Sequence, residues 1–111
     1  MTNKPETVKE EDLIQRKDRL CYKKYARVPF TGVANEFHEN GQLRIISNYK
    51  KGKLHGPWVV FHENGQLSSK RNYNDDKLQG PLVVFHENGQ LRHKFNYKRG
   101  RFDNVLKNEP V

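Results

Sequence analysis

Three consecutive 24-residue segments of the chain superpose without a gap, over Gly32–His55, Gly56–Gln79 and Gly80–Asp103. The heptapeptide Phe-His-Glu-Asn-Gly-Gln-Leu is identical in the three segments, and so is an Asn-Tyr pair in the second half of each. Repetition at a fixed period of about 20–50 residues is typical of arrays whose copies bury their apolar surface against their neighbours. The chain is therefore expected to fold as equivalent units that follow one another in space.

A partial copy precedes the three full units. Tyr25–Gly32 aligns with Tyr49–Gly56, matching the tyrosine that closes one unit and the glycine that opens the next. A length of 111 residues suits one domain. We predict a single repeat domain over residues 13–106, made of the partial unit 13–31 and the full units 32–55, 56–79 and 80–103, between a flexible segment 1–12 and a tail 107–111.

Each unit carries two turn signals. Asn-Gly recurs at residues 40–41, 64–65 and 88–89 between apolar runs, and it is the strongest short hairpin signal because both residues tolerate positive φ. A second polar turn follows at 50–53, 74–77 and 98–101, with Asp76 in place of the glycine of the other two turns. Glycine and asparagine recur too often for a long helix. The pattern predicts an all-β fold, a single curved antiparallel meander of tandem hairpins one layer thick.

The register of the Asn-Gly hairpin has two solutions. A two-residue loop pairs His62 with Leu67, whereas a three-residue loop with a glycine bulge pairs Phe61 with Leu67. We favour the second solution. It gives one face an apolar stripe of Val59, Phe61, Leu67, Tyr73, Val83, Phe85, Leu91, Phe95 and Tyr97. The other face then carries His62, Lys70 and Asn72, together with Trp58 and Val60.

Short strands are also expected ahead of the repeats, at Leu13–Gln15 and Leu20–Tyr25. Thr7 and Glu10 have the spacing of a capping box, so a turn of helix and disorder are both open for residues 1–11. The third unit ends without the glycine that would open another unit, which indicates the capped end of the array.

Recurrent side chains do not predict a catalytic or metal site. The histidine and the glutamate of the heptapeptide recur once per unit, at His38, His62 and His86 and at Glu39, Glu63 and Glu87. Equivalent residues lie two strands apart, about 9.5 Å, whereas imidazoles on one zinc ion lie about 3–4 Å from each other. The glutamates are expected to be exposed turn residues, and Cys21 a packed or edge residue. The sequence has no phosphate loop, nucleophile elbow or Cys-x-x-Cys pair, so we expect no enzyme activity, metal ion or cofactor.

The formal net charge is +8 and falls wholly on residues 20–103, because five basic and five acidic groups balance in residues 1–19. A basic surface favours an anionic partner, such as an acidic protein face, nucleic acid or anionic lipid, although a merely solubilising surface has the same composition. No run has membrane-spanning length and the N-terminus has no apolar signal segment, so a cytoplasmic protein is expected.

Specificity for a partner has to come from positions at which the units differ, because the identical positions build the sheet. The units differ at positions 44/68/92, 46/70/94, 34/58/82 and 47/71/95. The predicted partner-binding residues are one tryptophan and a set of basic side chains, namely Trp58, Arg44, Lys70, Arg71, Arg92, Lys94, Arg99 and Arg101.

The pattern Gly-Pro-Trp-x-x-Phe-x-x-Asn-Gly-Gln-Leu, followed by Tyr-x-x-Gly-Lys-x-x-Gly, resembles the MORN-repeat variant over residues 13–103. Pro29-Phe30-Thr31-Gly32, which leads into the first unit, resembles YwqK-type antitoxin and immunity proteins. The resemblance implies a non-enzymatic domain that neutralises a cognate protein toxin by direct contact, and the basic surface implies that the toxin presents an acidic face. MORN-type repeats also serve as scaffolds and lipid-docking modules. A basic module that docks on anionic lipid or nucleic acid is therefore the alternative.

Overall fold

Each repeat unit forms one β-hairpin of a six-residue strand and an eight-residue strand in the computed structural model, which describes residues 5–108. The three hairpins are β4 (Gly32–Phe37) with β5 (Leu43–Lys50), β7 (Gly56–Phe61) with β8 (Leu67–Asn74), and β10 (Gly80–Phe85) with β11 (Leu91–Lys98). The other elements are β1 (Thr7–Lys9), a 3-10 turn (Glu10–Asp12), β2 (Leu13–Gln15), β3 (Cys21–Lys23), β6 (Lys53–Leu54), β9 (Lys77–Leu78) and β12 (Arg101–Asn108).

The hairpins join into one open ten-stranded sheet with the order β1-β4-β5-β7-β8-β10-β11-β12, and β6 and β9 pair with β5 and β8. All pairs among the repeats are antiparallel, while β1 pairs with β4 in parallel. A flat single-layer sheet would measure about 10 Å in its smallest dimension. The chain measures 51 × 35 × 33 Å, so the sheet is curved. The predicted curved all-β meander of tandem hairpins is confirmed.

The register at the hairpin tips is the one that the glycine-bulge loop predicts. Phe61 pairs with Leu67. The loop closes through two backbone bonds, from His62 N–H to Gln66 O at 2.8 Å and from Gly65 N–H to His62 O at 2.9 Å. Gly65 has a φ of 87°, the left-handed conformation that this bulge needs.

The assignment of residues to the two faces of the sheet is wrong in part. Val60 pairs with Ser69 while Phe61 pairs with Leu67, so Ser68 is an extra residue in β8 and reverses the alternation beyond it. Tyr73 therefore lies opposite Gly56, on the face of Trp58, and the two rings meet edge to face at 6.4 Å.

The cross-strand pairs define two faces. The aromatic face carries Tyr49, Trp58, Arg71, Tyr73, Leu82, Phe95 and Tyr97, and the lysine face carries Ile46, Val59, Lys70, Val83, Lys94 and Lys107. Lys70 and Asn72 thus share a face with Val59, and Trp58 and Val60 share one with Tyr73, contrary to the predicted stripe. The same bulge recurs in β5 and β11, so equivalent positions of the three units lie on the same face of the sheet.

The best-buried residues of the sheet lie on the aromatic face, among them Ala34 (1% exposed), Ser47 and Leu82. Residues 13–30 cover the start of this face, where the ring of Phe30 packs 5.9 Å from that of Tyr49. The expected strands before the repeats are present as β2 and β3, which pair with each other. The burial of apolar side chains on this face supplies hydrophobic stabilisation to the array.

The ends of the domain differ from the expected boundaries. Strand β1 and the 3-10 turn lie inside the segment expected to be flexible, whose first four residues are outside the described part of the chain. Thr7 is in β1, and Lys9 caps the turn without a side-chain hydrogen bond, so the capping box is not formed. At the other end β12 runs through residues 107 and 108, which were assigned to the tail.

Candidate partner-binding surface

The repeated heptapeptide connects each hairpin tip to the next one. His38 Nε2 lies 2.8 Å from Phe61 O, and since a carbonyl oxygen only accepts, the imidazole is the donor. His62 and the carbonyl of Phe85 repeat this contact at 3.0 Å. The side-chain amides of Asn40 and Asn64 donate in the same way to the carbonyls of the glutamates one unit on, at 3.1 and 2.9 Å. These identical residues therefore build the array.

The opposite ends of the hairpins are also joined from unit to unit. The amides of Gly52, Asp76 and Gly100 donate to the carbonyls of Phe30, Leu54 and Leu78, at 2.8 to 2.9 Å. Asp76 replaces the glycine found in the other two turns. Its carboxylate accepts a hydrogen bond from Leu54 N–H at 2.7 Å, a contact that glycine cannot make. Asp76 has a φ of 67°, which aspartate tolerates better than most residues.

The eight predicted partner-binding residues lie in four separate places. Arg44 and Arg92 are the bulged residues near the tips. Trp58 and Arg71 lie on the aromatic face, Lys70 and Lys94 lie on the lysine face, and Arg99 and Arg101 lie at the turn into β12. The structure does not bring all eight together in one patch.

Trp58 and Arg71 form one compact unit on the aromatic face. They are cross-strand partners, and the guanidinium carbon lies 4.6 Å from the centroid of the indole ring. The Nε atom of Arg71 is buried without a hydrogen-bond partner within the described part of the protein. Stacking on the indole holds the guanidinium against the sheet and stabilises it there.

A row of basic and apolar side chains crosses the lysine face. Successive cross-strand partners in this row are Ile46, Val59, Lys70, Val83, Lys94 and Lys107. Neighbours in such a row are about 4.8 Å apart. Lys94 and Lys107 lie directly opposite each other, a like-charge pair that destabilises an antiparallel ladder. An anion beside the last members of the row would offset this repulsion.

Strand β12 is the open C-terminal edge of the sheet. All eight of its residues are exposed, including three large apolar ones, Phe102 (56%), Val105 (45%) and Leu106 (46%). Phe102 contacts Phe95 and Tyr97 with ring centroids 6.0 and 5.9 Å apart, which leaves its other side uncovered. Long exposed edge strands are templates for pairing with another chain.

Three of the eight predicted residues, Lys94, Arg99 and Arg101, gather at this edge. The sequence analysis did not identify Phe102 at the end of the third unit, and it did not identify Val105, Leu106 and Lys107 because it ended the array at Asp103. The available signal was their alignment with the preceding copy, in which Phe102 takes the place of Leu78 in β9 and Leu106 that of Leu82 in β10.

The titratable cluster under the N-terminal segment is structural in character. Burial raises the pKa of Glu10, and burial also raises the pKa of the Cys21 thiol. Tyr49 O–H donates to Glu10 Oε1 at 3.4 Å, and burial raises the pKa of this phenol as well. A raised thiol pKa lowers the thiolate fraction and with it the reactivity of the cysteine. Among residues 5–108 no group of three His, Cys, Asp or Glu side chains has the geometry to hold a metal ion.

An open sheet of tandem hairpins with an exposed edge belongs to the class of repeat binding modules. The family model of the MORN repeat variant matches residues 30–51, 54–75 and 78–99, which is more than half of the chain. The chain belongs to the MORN repeat variant family. Such repeats are generally non-enzymatic binding modules. No curated protein and no solved structure matches the chain. In the described part of the chain, no helix has the length and apolarity to cross a membrane.

Proposed function

We propose that this chain is an antitoxin or immunity protein of the cytoplasm that neutralises a cognate protein toxin by direct contact. The observation that carries the proposal is the exposed edge strand β12, which presents Phe102, Val105 and Leu106 beside a group of basic side chains. An apolar strip with a charged border has the composition of a protein interface. The resemblance of Pro29–Gly32 to YwqK-type proteins supplies the expectation of a toxin as the partner.

The charge of this edge selects an acidic partner. Lys94, Arg101 and Lys107 lie on β11 and β12, and Asp103 is the one acidic residue of these two strands. That carboxylate is already engaged, since it lies 3.8 Å from Lys98 Nζ and accepts from Asn96 Nδ2 at 3.3 Å. An acidic toxin face would be drawn to the remaining positive charge, which accelerates association more than it tightens the complex.

Co-expression with the toxin encoded beside this protein tests the proposal. We expect growth to be restored, and the two purified proteins to elute together from a size-exclusion column at micromolar concentration. Absence of a complex at that concentration would overturn the proposal. A variant with Val105→Lys and Leu106→Lys, which leaves the three repeat units and the tip contacts unchanged, is expected to lose both effects.

A second candidate function rests on the lysine row. Lys70, Lys94 and Lys107 lie on one face with spacings that suit an anionic lipid surface or nucleic acid. Such binding falls steeply as salt rises. Sedimentation with vesicles that contain phosphatidylserine, and titration of a fluorescent oligonucleotide, distinguish the two ligands. Failure to bind either ligand at low salt would eliminate this second function.

A further inference from the structure

Residues 104–108 of strand β12 correspond to the opening strand of a fourth unit. Strand β12 follows the turn at 98–101 as β7 and β10 follow the turns at 50–53 and 74–77, and its last residues continue the register of the array. Lys94 pairs with Lys107 as Lys70 pairs with Val83. In each full unit the opening strand is covered on its far side by the eight-residue strand of the same hairpin. Among residues 5–108 no such strand follows β12.

Exposure shows what the missing strand would cover. Leu82 and Leu106 occupy the same position of the repeat, yet Leu82 is 8% exposed and Leu106 is 46% exposed. Leu82 has Phe95 of β11 directly opposite it. A strand laid beside β12 would give Leu106 an equivalent neighbour, and it would also satisfy the outward-facing backbone groups of the edge.

The lysine row gives the chemistry of that strand. Equivalent pairs between units join Ile46 to Val59 and Lys70 to Val83, but the last pair joins two lysines, Lys94 and Lys107. A carboxylate placed opposite Lys107 on the added strand would pair with that lysine and offset its repulsion from Lys94. A second copy of β12 offers only Asp103 among its described residues, and Lys98 and Asn96 already bind that group.

We propose that β12 receives an extended segment of the partner protein as an added antiparallel strand, with an aspartate or glutamate of that segment opposite Lys107. This inference rests on the proposed protein-binding function and specifies how the partner is held. The backbone of β12 provides most of the contact, and Leu106 and Lys107 select apolar and acidic side chains at alternate positions of the segment.

A designed peptide tests the inference without the natural partner. The probe is a capped ten-residue peptide of alternating valine and glutamate, and its counterpart has lysine in place of each glutamate. In titrations followed by amide NMR we expect the glutamate peptide to shift the signals of residues 101–108 and to slow their hydrogen exchange. Lys107→Glu should lower the affinity for the glutamate peptide about tenfold and allow the lysine peptide to bind instead.

Lys70→Glu is the matched control, because Lys70 lies in the same row with the same charge but about 14 Å from Lys107. It should leave the affinity of the glutamate peptide within about twofold of the unmodified protein. Equal weakening by the two substitutions would indicate diffuse electrostatic attraction and overturn the proposal. Absence of binding at about 2 mM peptide would overturn it as well. If the free protein is a dimer and Leu106→Lys makes it a monomer, a second copy of the chain occupies β12. This result too would overturn the proposal.

The two proposals fail in different ways. If the toxin binds the unmodified protein and the Lys107→Glu variant equally, strand addition at β12 is wrong, while neutralisation of the toxin stands. If the peptide binds at β12 and the toxin forms no complex, the antitoxin function is wrong, while β12 remains a strand-accepting edge.

Discussion

The imidazole of His62 donates a hydrogen bond from Nε2 to the carbonyl oxygen of Phe85 in the next repeat unit, at 3.0 Å. His38 and Phe61 make the same contact one unit earlier. These side chains cross from one tip to the next, so they couple neighbouring hairpins in addition to the strand pairing and the contacts between the opposite turns. The tips therefore contribute to the stability of the whole array as well as to the hairpin that contains them.

Removing this coupling should destabilise the protein measurably. For His62→Ala we expect a loss of about 1–2 kcal/mol in the free energy of unfolding, since a part-buried carbonyl loses its donor. Urea unfolding followed by circular dichroism measures it. Glu63→Ala is the control, because only the backbone carbonyl of Glu63 takes part in the tip contacts, and it should change stability by less than about 0.5 kcal/mol. Equal effects of the two substitutions would contradict the tip coupling.

Alanine substitutions of Gly41 and Gly52 distinguish the cost of backbone strain from the cost of steric overlap. Gly41 and Gly52 have nearly the same φ, 86° and 83°, but a Cβ on Gly41 meets nothing within 4 Å, whereas a Cβ on Gly52 lies 2.8 Å from the Cβ of Leu20. Gly41→Ala should therefore cost about 1 kcal/mol from conformation alone. Gly52→Ala should cost about 1–3 kcal/mol more, because residues 20–21 must move away from the turn. Equal melting temperatures for the two variants would show that the N-terminal segment does not pack on this turn.

Glu10 should make the protein less stable as pH rises. Burial raises the pKa of this carboxyl above its ordinary value of 4.5, so the folded state binds the proton more tightly than the unfolded state. The favourable contribution is complete below the ordinary pKa and is lost as pH rises through the raised pKa. Glu10→Gln should therefore gain stability relative to the unmodified protein as pH rises above the ordinary pKa of this carboxyl. The exposed neighbour Glu11, changed to glutamine, controls for the loss of one surface charge, and a pH-independent difference for Glu10→Gln would refute the prediction.

Trp58 lies on the aromatic face and is the only tryptophan in the sequence, so the tryptophan fluorescence of the protein monitors this face. Trp58 lies on β7, about 19 Å across the sheet from β12. Binding of the glutamate peptide at β12 should leave its emission maximum and its quenching by acrylamide unchanged. Arg71→Ala should increase the quenching, since it removes the guanidinium that covers the ring at 4.6 Å. A partner that protects Trp58 from quenching would place the binding surface on the aromatic face, as the sequence prediction for Trp58 and Arg71 requires.

Local turn chemistry made much of the fold predictable. Asn-Gly at a fixed position of each unit sets the three-residue loop, and the loop sets the pairing of Phe61 with Leu67. The error began one residue further on, at Ser68. A bulge there follows from the geometry of the strand pair and has no composition signal of its own, because the equivalent positions hold Arg44 and Arg92. A single extra residue then exchanged the faces of Tyr73, Lys70 and Asn72.

The candidate site was less predictable than the fold. Basic residues are easy to find in a sequence, but their grouping depends on cross-strand register, which separates Arg44 from Lys94 and brings Lys94 against Lys107. The open edge was hidden for a different reason. The missing glycine after Asp103 indicates the end of the repeats, yet Arg101–Asn108 still pairs with β11, because strand pairing requires backbone groups and no particular side chain.

The tip contacts have a genetic consequence. Each copy carries its own donors, in its histidine and asparagine, and its own acceptor carbonyls, so the coding segment for one unit specifies both partners of the junction. An in-frame duplication of that segment would add a hairpin that matches its neighbours from the first generation, without a compensating substitution elsewhere. The number of units can therefore change by whole copies, whereas β12 takes no part in these tip contacts and can diverge without loss of them.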